Sequence, residues 1–237
     1  MLISFQRWFW LLTKTDTAMA YHGGTSGYLK AQSTVLKGNI MSKITLYTVH
    51  PSRGNNVRWM LAECGADYDT VALDYSQLKE ADYLAINPMG KVPAIKHAGQ
   101  VITELPAILT YLAELFPEKR LIPAAGTPER GQYYRWLWFG TQLEYAILDR
   151  WQQVPQSEER RRAIGYGDFD TALHTLKTLL ADGREYALGQ YFSALDLYLS
   201  GLLAWGMFRT QVVPNVEPFA SYMQRHLQRP AAREAQE

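Results

Sequence analysis

Cysteine is almost missing from this chain. Cys64 is the only one in 237 residues, so no disulfide framework forms within it, and a reducing, cytoplasmic setting fits. Net charge is nearly missing too. Lys and Arg number 24 against 23 Asp and Glu, leaving +1, which gives the whole chain no electrostatic case for nucleic acid. No apolar run reaches the ~18 residues that a membrane-spanning helix needs. The five histidines have no metal-ligand spacing, and none is read as a ligand. What is present is a 47% hydrophobic content, enough for one large domain or two small ones with a real core.

The charge is unevenly spread. Residues 1–40 hold four Lys/Arg and one acid, and the remainder is slightly acidic. The opening "MLISFQRWFWLLTKTDTAMA" has an apolar patch and ends in Ala-Met-Ala. Gln6 and Arg7 interrupt it, however, and a positive n-region is missing, so it does not read as a signal peptide. The following Gly/Ser/Thr-rich stretch has no helical or strand period and reads as disordered. Met41 stands directly before the first good strand. Residues 1–40 are therefore expected to be a disordered extension, and a chain starting at Met41 is expected to be as stable and active.

From Met41 the pattern changes. "ITLYTV" (44–49) is a β-prone run. Val57, Met60, Leu61 and Cys64 recur at i, i+3, i+4 and i+7, one face of a helix, and Gly65 is a natural stop. Residues 68–75 form a second strand. Residues 92–104 form two short strands around a His-Ala-Gly turn. Residues 106–116 are helical. This βαβ–ββα unit spans 41–120. The Pro/Gly-rich segment 121–130 reads as a linker. Residues 131–237 are read as all helical, with helices in 131–152, 157–183, 193–208 and 216–228.

Two stretches point to a site. In "NPMGKVPAI" (87–95), Pro93 opens a strand although proline cannot donate to a ladder. A cis Val92–Pro93 bond explains it, turning the Val92 N–H and C=O outward to pair with an extended peptide. In "TELPAILTYLAE" (103–114), Glu104 sits at a helix mouth, where free N–H groups and the dipole hold a carboxylate. Strand pairing plus capture of a carboxylate suggests glutathione.

These residues resemble the cytosolic glutathione S-transferase family over Ile44 to about Arg229. "NPMGKVPAI…ITELPAILTYLAE" is similar to the family's NPxGKVPxL…ESxAIxxYL. "LGQYFSALDLYL" (188–199) is similar to the segment before the family's central buried helix, with Ser193 and Asp196 as a capping box. The resemblance implies a thioredoxin-like α/β N-terminal domain, an all-α C-terminal domain and a two-fold homodimer, to which Tyr133 and Trp136 are expected to contribute as exposed aromatics. It implies a transferase that conjugates glutathione, its co-substrate, to a hydrophobic electrophile, with no metal. Lys91, Val92, Pro93, Glu104 and Leu105 would hold the glutathione. One departure is plain: the family usually has Ser after the Glu, and here Leu105 removes one hydrogen bond, worth about 1 kcal/mol of affinity.

The thiol of glutathione is mostly protonated at neutral pH, so a transferase must stabilise its thiolate. The turn "HPSRGNN" supplies the donor. Ser52 stands just before the first helix, as in the family's serine-type members. Tyr47 and Arg53 are the alternatives, the first resembling the tyrosine-type donor and the second acting as a nearby cation. Each has a plainer reading: Ser52 as a helix cap, Tyr47 as sheet packing. Two other functions stay open on this scaffold, a non-catalytic glutathione-binding or regulatory module and a glutathione-dependent reductase or peroxidase. Cys64 lies on the apolar helix face and reads as a core residue.

Overall fold

The structure, a computed structural model, describes residues 42–236, so the expectations for residues 1–40 lie outside the described residues. The first half is a thioredoxin-like unit. Strands β1 (Ile44–Thr48), β2 (Tyr68–Ala72), β3 (Ala94–His97) and β4 (Gln100–Thr103) form one mixed sheet in the order β2-β1-β3-β4. β1 pairs parallel with β2 and antiparallel with β3. The parallel pair needs a crossover, and helix α1 (Gly54–Cys64) supplies it. Alternation along β1 sends Ile44 and Leu46 to one face. There they join Val57, Met60 and Leu61 of α1 and Ile108, Leu109 and Leu112 of α3 (Leu105–Leu115) in the main core. The opposite face carries a smaller cluster of Val49, Leu78 and Tyr83, with Tyr47 packed against it.

Local chemistry sets the element ends. Gly65 adopts φ +63° after α1, and its N–H returns to the Ala62 carbonyl. Ala98 and Gly99 both have positive φ, which makes the tight β3–β4 hairpin. A short helix α2 (Ala81–Leu84) precedes β3. Four residues carry no usable period, so it could not be read in advance. Tyr83 Oη and Asn87 Nδ2 both donate to the Lys91 carbonyl, at 2.6 and 2.8 Å, and pin the loop that leads into Pro93.

The second half is helical among the described residues: α4 (Pro128–Trp151), α5 (Glu158–Ala163), α6 (Phe169–Leu180), α7 (Ala194–Ala204), α8 (Phe219–Leu227) and α9 (Pro230–Glu234). α4 starts three residues before the expected 131 because Thr127 caps it, its hydroxyl accepting from the Arg130 N–H. The segment before it is packed. Leu121 is buried, and its carbonyl accepts from the Ala194 N–H at 2.8 Å.

One expectation is corrected here. Tyr133 is fully buried and Trp136 nearly so. Both point inward from α4, and Tyr133 Oη reaches Thr110 on α3 at 2.8 Å. The exposed aromatics of this helix are Tyr134, Trp138, Tyr145 and, at its last residue, Trp151. A helix this long has several faces, and periodicity alone did not say which would meet α3 and α7. Among the described residues no helix is long and apolar enough to cross a membrane.

Candidate functional site

The turn between β1 and α1 is built from hydrogen bonds of its own residues. Ser52 Oγ accepts the Gly54 N–H at 3.0 Å. The Asn55 N–H bonds the Ser52 carbonyl and the Asn56 N–H the Arg53 carbonyl, each at 3.1 Å. Ser52 is thus a serine turn one residue ahead of the N-cap, which is Arg53. Its Oγ also lies 3.2 Å from Thr48 Oγ1 at the end of β1. A Cβ on Gly54 would come within 1.9 Å of that Thr48 oxygen, so glycine is what lets the helix start this close to the strand.

Arg53 reaches out of the turn. Its Nη1 pairs with Glu144 Oε1 on α4, and Glu144 Oε2 accepts from Tyr198 Oη on α7 at 3.1 Å. Burial, and then the Glu144 carboxylate, raises the Tyr198 hydroxyl well above its ordinary range, so it remains a donor. Gly140, one turn before Glu144, makes room for that ring: a Cβ there would lie 2.6 Å from Tyr198 Cε1. Glu144 and Tyr198 carry no local motif. Only the fold brings α4 and α7 to the first turn of α1, so sequence reasoning missed them.

Tyr47 takes a different position. Its ring packs 6.1 Å from that of Tyr83, centroid to centroid, in the small cluster on the far face of the sheet from α1 and α3. Cys64 is buried, and burial pushes its thiol up to about 12. It is an unreactive core thiol rather than a redox centre.

The other predicted residues gather around β3 and α3. The Val92–Pro93 bond is cis. The Val92 N–H and C=O enter no backbone hydrogen bond among the described residues. Lys91 is exposed beside it. Glu104 is the N-cap of α3 and is exposed, with φ +65° and ψ +114°. A non-glycine residue held there costs about 1–3 kcal/mol, and such strain concentrates at binding sites. No side chain caps α3. Its first-turn N–H groups, on Leu105 and Ala107, have no place in the helical ladder, and Pro106 has none to offer. The contrast with α1 is chemical: the α1 turn uses its own donors, and the α3 mouth leaves donors open to an anion. The Leu105 side chain is buried and packs in the main core.

A four-stranded thioredoxin-like sheet followed by a helical half, with a positive-φ acidic residue at an uncapped helix mouth, defines the class of two-part proteins built on a thioredoxin-like unit. The comparisons name the family. The family model for the glutathione S-transferase N-terminal domain matches residues 42–114. Glutathione S-transferase Z1 of Arabidopsis thaliana is 37% identical over 185 residues, 75% of this chain and 82% of that protein. Glutathione S-transferase GstA of Escherichia coli O157:H7 is 28% identical over 180 residues, 74% and 88% of the two chains. The crystal structure of a glutathione transferase from Methylococcus capsulatus superposes with a TM-score of 0.68 at 32% identity, covering 81% of this chain and 96% of that one. The chain belongs to the glutathione S-transferase family.

Proposed function

We propose that this protein is a glutathione transferase that binds glutathione, stabilises its thiolate and conjugates it to a hydrophobic electrophile. The observation that carries the reading is the pair of unlike helix mouths. α3 presents uncapped N–H groups next to Glu104 and beside the unpaired Val92 backbone, a cradle for a short peptide with a carboxylate. α1 presents a serine hydroxyl at its positive end. In this reading Val92 pairs with the peptide, Pro93 sets its direction, and Lys91, Glu104 and the Leu105 N–H hold its charged ends. Ser52 donates to the sulfur. The thiol loses its proton to solvent, the sulfur forms a bond to the electrophilic carbon, and the leaving group departs with its electron pair. The family relation supports a homodimer, and the exposed Tyr134, Trp138 and Tyr145 are its proposed contacts in place of Tyr133 and Trp136.

Retention on immobilised glutathione, followed by turnover of an aryl halide, tests the reading. Binding without turnover on a broad electrophile panel would favour the non-catalytic module. The donor is assigned by following the ultraviolet absorbance of bound thiolate against pH. Ser52→Ala is expected to raise the bound thiol's pKa by about one unit or more, roughly 1.4 kcal/mol. A shift in Tyr47→Phe or Arg53→Ala alone would move the role to that residue.

A further inference from the structure

Proton bookkeeping around Ser52 gives a second residue a role. Thr48 closes β1 and is 5% exposed. Its hydroxyl carries one proton and has two acceptors in reach, the Val49 carbonyl at 3.2 Å and Ser52 Oγ at 3.2 Å. The two settings have opposite consequences. When Thr48 donates to Val49, the contact with Ser52 can only be made by the Ser52 proton, which then points into the protein. When Thr48 donates to Ser52, that oxygen accepts twice, from Thr48 and from the Gly54 N–H. The Ser52 proton is then free to point outward.

We propose that Thr48 is a positioning residue that switches Ser52 between these settings, and that a bound thiolate selects the outward one. This rests on the reading of Ser52 as the thiolate's donor. A ligand shifts such an equilibrium only if it interacts differently with the two states. An anion does: it gains a hydrogen bond only when the serine proton faces it. In that setting Thr48, Ser52 and the sulfur form a chain of donors running one way, with the Gly54 N–H alongside. Each link polarises the next, strengthening it by about 10–30%. The packing guards the arrangement, because a Cβ at residue 54 would fall 1.9 Å from Thr48 Oγ1 and 3.2 Å from Ser52 Oγ.

The test titrates bound glutathione by thiolate absorbance in Thr48→Val, Thr48→Ser, Ser52→Ala and the double variant Thr48→Val/Ser52→Ala. Thr48→Ala replaces valine if the latter does not pack. The other titratable groups near the turn, Tyr47, His50, Arg53, Glu144 and Tyr198, are the same in all of them. Thr48→Val is expected to raise the bound thiol's pKa by about half a unit, roughly a threefold loss of thiolate. Thr48→Ser is expected to restore it. On the Ser52→Ala background the valine is expected to add nothing, because Thr48 acts only through Ser52. An unchanged pKa in Thr48→Val beside a raised one in Ser52→Ala overturns the role of Thr48 and leaves the serine reading standing. An equal shift on both backgrounds also overturns it, since the residue would then act by structure alone. No shift in Ser52→Ala removes the serine reading itself, and this inference with it.

Discussion

His226 shows how a single residue's surroundings set a property of the whole chain. It is 1% exposed. Its Nε2 faces the Glu185 carbonyl at 3.0 Å and must donate there, so Nδ1 accepts from the Ser200 hydroxyl at 2.8 Å. The rings of Tyr186, Phe192 and Tyr222 surround it. Burial lowers its pKa from the ordinary 6.5, against the opposing pull of Asp196, while Arg225 and Arg229 lower it further. A histidine with a depressed folded pKa contributes stability that is present above its unfolded pKa and lost as pH falls. The fold is therefore expected to weaken from pH 7.5 to pH 5.5, by at most about 1.4 kcal/mol per pH unit for one proton. Urea midpoints at the two pH values measure it. In His226→Gln the midpoint should depend less on pH; an unchanged dependence would place its origin elsewhere. Asp182, held down to about 2 by Arg184, acts well below this window.

At the scale of elements, α7 is organised by Asp196. Its Oδ2 accepts from the N–H and the hydroxyl of Ser193, each at 2.8 Å. Its Oδ1 accepts from the Ala187 N–H and from Tyr222 Oη, each at 2.6 Å. One fully buried carboxylate thus caps its own helix and ties in the preceding loop and α8. Ser193, three residues before Asp196, marks the capping box in the sequence. The Ala187 and Tyr222 contacts are long-range and leave no local pattern. Asp196→Asn keeps the shape but turns an NH₂ group toward donors on one side. It is expected to cost about 3 kcal/mol or more, since buried donors left unpaired cost about 1–3 kcal/mol each. Chemical unfolding would check this, and a loss under 1 kcal/mol would mean that water replaces the lost acceptor.

At the scale of the molecule, two polar joints tie the two ends of α1 to the helical half, beside the shared core and the Tyr133–Thr110 contact. Arg229 binds Glu63 through two hydrogen bonds of 2.6 and 2.8 Å and lies over the Phe192 ring at 3.8 Å. This docks the C-terminal end on α1. Arg53, Glu144 and Tyr198 form the other joint at the proposed thiol site. The surface that remains carries Trp138, 67% exposed, and Tyr145, 56% exposed, on α4. Large aromatics left in water at helical spacing suit a subunit contact. Light scattering at micromolar concentration is expected to report a dimer, and Trp138→Arg to shift it toward monomer. A monomer in the unsubstituted protein would refute the assembly.

The sequence by itself determined the order of the strands and the longer helices, though not the short α2 and α9 or the break between α5 and α6, because hydrophobic period, Gly65, the Ala98-Gly99 turn and the Ser193/Asp196 box are local signals that act over a few residues. It also marked "NPMGKVPAI" and "TELPAI" as contiguous motifs, which the fold sets at the entry to β3 and the start of α3. Tertiary structure alone decided which face of α4 is buried, as the exchange of Tyr133 and Trp136 for Tyr134 and Trp138 records, because α4 has no single apolar stripe and its neighbours choose the face. It alone placed Glu144 against Arg53, 91 residues apart, and set Thr48 against Ser52. Those contacts depend on side-chain direction and close backbone approach in space, which no spacing along the chain encodes.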